Sequence, residues 1–172
     1  SRFGYDIAKQ FGLKVTSLKP ALVPLTFHSE FLDRCRTLSG VSLNAEISFG
    51  TVCFREGLLF THRGLSGPSV LQISSYWDEE SEITINLLPE LDLLNFLKRC
   101  KSDSPKQAIH VALSRHLAKQ LAEDILNELR LAGRLADLSH AKLQNLSERI
   151  HKWLVIPNGT EDTVQQKSLA AG

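Results

Sequence analysis

Gly57-Leu58-Leu59-Phe60-Thr61-His62-Arg63-Gly64-Leu65-Ser66-Gly67-Pro68-Ser69-Val70-Leu71 is the stretch on which the reading of this chain turns. Leu58 to Phe60 read as a buried strand, and Gly64 and Gly67 permit backbone conformations closed to other residues. Pro68 suits the first position of a helix, with Gly67 or Ser66 as its cap. The free amides of that first turn are expected to face the loop, and such a helix start attracts phosphate or carboxylate. A strand that breaks into glycines and polar groups and then opens a helix is a turn built to approach something.

Working outward, β structure surrounds this turn. Val41 to Phe49 alternates, with Val41, Leu43, Ala45, Ile47 and Phe49 on one side and Ser42, Asn44, Glu46 and Ser48 on the other, as a strand with one wet face requires. Val52–Arg55 and Leu58–Thr61 read as a hairpin turning at Glu56-Gly57, and Glu82–Leu88 as a further strand. A short helix is expected from Pro68 to about Tyr76. Pro20 and Pro24 confine any strand between Val15 and Phe27 to an edge or an irregular path. Phe3 to Leu13 reads as the end of a helix stopped at Gly12.

After Pro89 the pattern becomes helical. Asp92 is the expected N-cap of a helix ending near Cys100, with Leu91 and Phe96 as a hydrophobic staple. Ser104-Pro105-Lys106-Gln107 reads as a capping box. Ile109, Leu113, Leu117, Leu121, Ile125 and Leu129 then repeat every fourth residue, as one long helix or as two with a break near Lys119, before a stop at Gly133. Ser139 caps a last helix, with Leu138 and Leu143 as staple and Leu146, Ile150 and Trp153 extending its apolar face. The fold class is therefore α+β, a β-rich part over residues 1–89 followed by a helical subdomain over 90–156. Residues 157–172 read as a tail or as the remnant of a flanking domain.

Twenty Lys and Arg against nineteen Asp and Glu leave a net charge of +1, so nothing global pulls the chain toward nucleic acid or an anionic membrane. No run approaches the roughly 18 apolar residues of a membrane span and no signal peptide opens the chain, so a cytoplasmic protein is expected. The complete lack of methionine, including at position 1, reads as part of a longer chain. Cys35, Cys53 and Cys100 form neither a CxxC nor a Cys/His array, and His110 and His116 are six apart where a zinc pair on one helix face wants a spacing of three or four, so no metal site is expected.

The residues able to carry chemistry lie in the opening stretch. His62 is the candidate proton donor or acceptor, and Thr61, His62, Gly64, Ser66 and Gly67 are the candidates for contact with a ligand or cofactor. A hydrogen-bonded structural histidine is the commoner role for such a residue. Gly64-Leu65-Ser66-Gly67 is one residue short of a nucleophile elbow, which argues against a serine hydrolase. Acidic residues interleave the helical cations and no aromatic platform accompanies them, which argues against a nucleic-acid module. Trp77 and Trp153 read as cluster anchors.

Gly57 to Pro68 with Leu71-Gln72-Ile73-Ser74 resembles the G-x-L-L-F-T-H-x-G-x-S-G-P pattern of the bacterial YhiN/BaiN-type flavoproteins. Gly4-Tyr5-Asp6-Ile7-Ala8 with Gly12, Pro20 to Leu25, and Trp153 to Glu161 match the same family in order. The resemblance implies a parent that binds FAD and acts as an NAD(P)/FAD-dependent oxidoreductase. It also implies that this chain is the insert domain, an antiparallel β half-barrel-like part joined to a small helical part, lying against the FAD domain on the side of an unknown small-molecule substrate. No G-x-G-x-x-G follows a first strand and the family's C-terminal glycine-rich segment is missing, so the chain alone is expected to hold no flavin and to be inactive. Beyond Glu161 the sequence leaves the family's continuation, and residues 162–172 read as a later family stretch or a joined flank. The competing class is a freestanding ligand-binding or interaction module.

Overall fold

The computed structural model describes Gln10 and residues 22–161. The expected helix at Phe3–Leu13, the path from Val15 to Ala21 and the sequence after Glu161 fall outside those residues, save Gln10. Seven antiparallel strands form one sheet: β1 (Leu25–Thr26), β2 (Ser42–Phe49), β3 (Val52–Thr61), β4 (Gly64–Ser66), β5 (Ile83–Asn86), β6 (Trp153–Val155) and β7 (Gly159–Thr160). Their order is β6-β5-β2-β3-β4-β1-β7. Helix α1 (Ser29–Thr37) follows β1 and α2 (Pro68–Ser74) follows β4. Between β5 and β6 the chain makes a helical excursion through α3 (Leu93–Asp103), α4 (Ile109–Leu113), α5 (Lys119–Glu128), a 3-10 turn at Leu135–Asp137 and α6 (His140–His151).

The strand order contains its own proof of curvature. β6 and β7 occupy opposite edges, yet Val155 and Gly159 are four residues apart and can be separated by no more than about 14 Å of extended chain. A flat seven-stranded sheet would set its edges roughly 29 Å apart. The sheet must therefore curl into a nearly closed barrel, and the side chains obey. Trp153, Ile85, Ile47, Phe60, Leu65 and Leu25 share one face through the strand registers and are all buried. The ring of Trp153 on β6 lies 6.2 Å from that of Phe60 on β3, although two strands separate them in the sheet.

Several elements differ from the sequence reading. β3 runs unbroken through Glu56-Gly57, and the hairpin turns instead at Gly50-Thr51, where Gly50 has φ +57°. Gly57 lies mid-strand, and its carbonyl is what Gly67 approaches. β1 is an interior strand of two residues, not an edge. Ser104 to Ala108 forms no helix: Ala136 N–H donates to Pro105 O at 2.9 Å, Leu135 N–H to Gln107 O at 2.9 Å, and Ala108 bridges Arg134. Long-range pairing has overridden a local capping signal. The apolar stripe beyond divides into α4 and α5, with the second helix starting at Lys119. Asp92 and Ser139 cap α3 and α6 as read, accepting from Asn95 N–H and Lys142 N–H. Trp153 is not on α6. It and Val155 point into the barrel on a strand while Leu154 stays exposed, a period of two. β6 and β7 thus extend the sheet into stretches read as helix and tail.

Trp153 also ties the excursion to the barrel. The Arg34 and Arg149 guanidinium carbons lie 4.7 and 4.2 Å from its ring centroid, and Phe31 meets it edge-on at 5.5 Å. Glu128 of α5 bridges the two arginines, accepting from Arg149 Nε and Nη2 at 3.0 and 2.8 Å and from Arg34 Nη2, while Arg34 Nε reaches Asp124. α1, α5, α6 and β6 are joined at one point. Partial burial opposes ionisation of Glu128, but the hydrogen bonds from Arg34 and Arg149 prevail and hold its carboxyl below the ordinary range.

Trp153→Ala should lower unfolding free energy by about 3–5 kcal/mol in urea titrations followed by circular dichroism. The depressed Glu128 carboxyl stabilises the fold above its unfolded pKa, and that contribution is lost as pH falls through the folded value. Glu128→Gln should therefore be less stable near neutrality and lose less on acidification; an acid limb parallel to that of the unsubstituted chain would contradict this.

Candidate functional site

The opening stretch resolves into a hairpin tip, a short strand and a helix start. Thr61 pairs with Gly64 across the β3–β4 turn, and its Oγ1 donates to Gly64 O at 3.1 Å and accepts from Arg63 N–H at 3.3 Å. His62 and Arg63 are left exposed at the tip. Arg63 forms an ion pair with Glu161, while His62 makes no side-chain hydrogen bond among the described residues. Ser66 is half-buried opposite Leu59, and Gly67 caps α2 with φ +98°.

The glycines approach the protein's own backbone. A Cβ on Gly64, whose φ is +142°, would stand 2.2 Å from Leu25 O, and one on Gly67 would stand 2.6 Å from Gly57 O. The first turn of α2 packs on β3, with fully buried Ser69 donating its hydroxyl to Gly57 O at 2.9 Å. α2 has only seven residues and its start meets the sheet, so the expected anion-facing turn is a packing device. The five candidates divide accordingly: Thr61, His62 and Gly64 share the tip, Ser66 ends β4, and Gly67 lies three residues beyond Gly64 along an extended path, roughly 10 Å away.

Other residues meet the tip. Thr26 Oγ1 donates to Asn158 Oδ1 at 2.9 Å, Asn158 Nδ2 lies 2.9 Å from His28 Nδ1, and Asn158 N–H donates to Thr26 O. Glu161 N–H donates to Pro24 O. Proline-flanked β1, the hairpin tip and the Asn158–Glu161 segment are thus three neighbouring strands, β4-β1-β7. The sequence reading missed His28 and Thr26. Nothing in local spacing joins residue 28 to residue 158; the available signal was that the segments on either side of the barrel resembled one family.

Outside this edge the chemistry is quiet. Burial pushes the Cys35 thiol up to about 12, and Cys53, though exposed, is also raised, first by desolvation and then by Glu46. His116 packs edge-on against Phe96 at 4.5 Å, and among the described residues no three His, Cys, Asp or Glu side chains gather as a metal site. No helix among them is long and apolar enough to cross a membrane. A groove of about 680 Å³ between β2, β3 and the α3 approach carries Asn44, Arg55, Glu56, Glu90 and His116, with Arg55 held by Glu46 at 2.8 Å.

A curled antiparallel sheet interrupted by a helical excursion defines an α+β barrel-and-helix domain. The model of the family described as "HI0933-like protein barrel and H2TH domain" matches residues 19–166, and the chain belongs to that family. This agrees at family level with the flavoprotein resemblance of the loop. The chain is 46% identical over 168 residues to a protein of Escherichia coli K12 named ribosomal RNA dihydrouridine synthase, covering 94% of this chain and 41% of that protein. It is 41% identical over 164 residues to a Haemophilus influenzae protein of the same name, covering 92% of this chain and 40% of that one. The chain spans about two fifths of the length of these curated relatives.

Gly64→Ala should cost at least about 2–3 kcal/mol, because a Cβ at that φ meets the Leu25 carbonyl, whereas His62→Ala should change stability by under about 0.5 kcal/mol. Thermal melts of the two variants check the contrast.

Proposed function

We propose that this chain is the insert domain of an FAD-dependent enzyme that reduces a uridine of ribosomal RNA to dihydrouridine in the cytoplasm, and that it is inactive alone. The observation that carries the reading is the antiparallel pairing of β1 with β7. Leu25 stands opposite Thr160, so the described chain enters and leaves the barrel side by side, as an inserted domain requires. Of the segments resembling the flavoprotein family, Leu22–Leu25, the Thr61–Ser66 turn and Asn158–Glu161 lie beside one another at that edge, and the relatives' names supply the reaction and the RNA.

The described residues do not fit FAD as its holder. Gly64 and Gly67 are filled by the protein's own carbonyls, which supports a reading in which the partner FAD domain of the parent holds the dinucleotide. Reducing the uracil 5,6-double bond needs a hydride and a proton. His62, an exposed imidazole within the turn that carries the resemblance, is the candidate to pass that proton. Thr61 closes the turn beneath it, and the Arg63–Glu161 pair fastens the tip to the edge beside β7.

In cells lacking the parent gene, dihydrouridine in ribosomal RNA should disappear by mass spectrometry and return with the unsubstituted parent. Purified parent carrying His62→Ala should keep its flavin and lose roughly 10²-fold in turnover. Unchanged ribosomal dihydrouridine in the deletion strain would overturn the reaction, and unchanged turnover would remove His62 from it.

A further inference from the structure

We propose that the groove between the C-terminal half of α3 and the start of α6 holds the phosphate backbone of the ribosomal RNA substrate; this rests on the RNA reading above. The groove, about 370 Å³, is lined by Lys98, Lys101, Ser102, His140 and Leu143 and by no carboxylate. Lys98, Lys101 and Ser102 lie at i, i+3 and i+4 on α3 and present one face, so successive donors can follow one strand. Lys101 Nζ donates to Leu138 O at 2.6 Å, which fixes the ammonium at the groove wall.

The charges that interleave in sequence are sorted by the fold. Residues 90–156 carry eleven Lys and Arg against eight Asp and Glu. Asp124 and Glu128 are taken up by Arg34 and Arg149, Asp137 by Arg134, Glu123 by Lys119, and Asp92 caps α3. Lys98, Arg99, Lys106 and Lys142 form no ion pair among the described residues, and all are exposed. Much of the acidic charge that argued against nucleic acid is therefore engaged; on α3 and α6 themselves Asp103 and Glu148 remain, outnumbered by Lys98, Arg99, Lys101 and Lys142. A lining of hydroxyl, imidazole and ammonium groups with no carboxylate suits phosphate oxygens, which position a nucleic acid without reading its sequence.

The test uses the flavin-loaded full-length parent and a fragment of ribosomal RNA containing the modified uridine. Lys98→Gln combined with His140→Gln removes two exposed donors and should leave flavin content and the melting curve unchanged. RNA affinity should fall at least about threefold, with the slope of log K against log salt shallower by roughly one. KM for RNA should rise with kcat retained. Affinity and slope equal to the unsubstituted parent's would overturn the groove while leaving the RNA reading intact, as would normal RNA binding with lost capture of a ribosomal protein. An unsubstituted parent that neither binds nor reduces the RNA would end both.

Discussion

The link Ile156-Pro157-Asn158 is shorter than the sheet is wide, and the rest of the structure answers to that mismatch. Because β6 and β7 are opposite edges joined by so few residues, the sheet curls until its inner face closes on itself. The closed face needs a large filler, and Trp153 enters beside Phe60 and Phe31. Its exposed flank is covered by two guanidinium groups, and those charges require Glu128 and Asp124 from α5. A constraint on chain length thus becomes a reason for the helical excursion to dock where it does. Half-buried charges are tolerated because bidentate geometry and the indole face replace much of the lost hydration.

The same link sets the β4-β1-β7 edge. Closing the barrel places β7 beside β1, and β1 already pairs with β4, so segments far apart in sequence are assembled on three adjacent strands. Thr26, His28 and Asn158 form a hydrogen-bonded row next to the tip that carries His62 and Arg63. The glycines of the tip serve this assembly from within, since Gly64 admits the Leu25 carbonyl and Gly67 admits that of Gly57. What they leave outside is the polar tip itself.

The legible parts of the sequence were those whose cause is local. Alternation in Val41–Phe49, the caps at Asp92 and Ser139, and Gly67-Pro68 at the start of α2 each carry their reason within a few residues. The errors share a different origin. Gly57 looked like a turn because its partner, Gly67, is contacted only after the strand folds back. Ser104 to Gln107 looked like a cap because residues 133–136, which pair with that stretch, come a full excursion later. Trp153 fits both the period of α6 and that of a strand, and only barrel closure decides between them. For the site, the loop was legible as a motif, but its neighbours on β1 and β7 were not, since their proximity follows from topology.

A structure of the full-length parent with its flavin bound tests the central claim most directly. The account predicts that the β4-β1-β7 edge faces the flavin domain, with Thr61, His62 and Arg63 turned toward the isoalloxazine side and the strands at Leu25 and Thr160 leading into that domain. A barrel whose hairpin tip faces open solvent away from the flavin would contradict it.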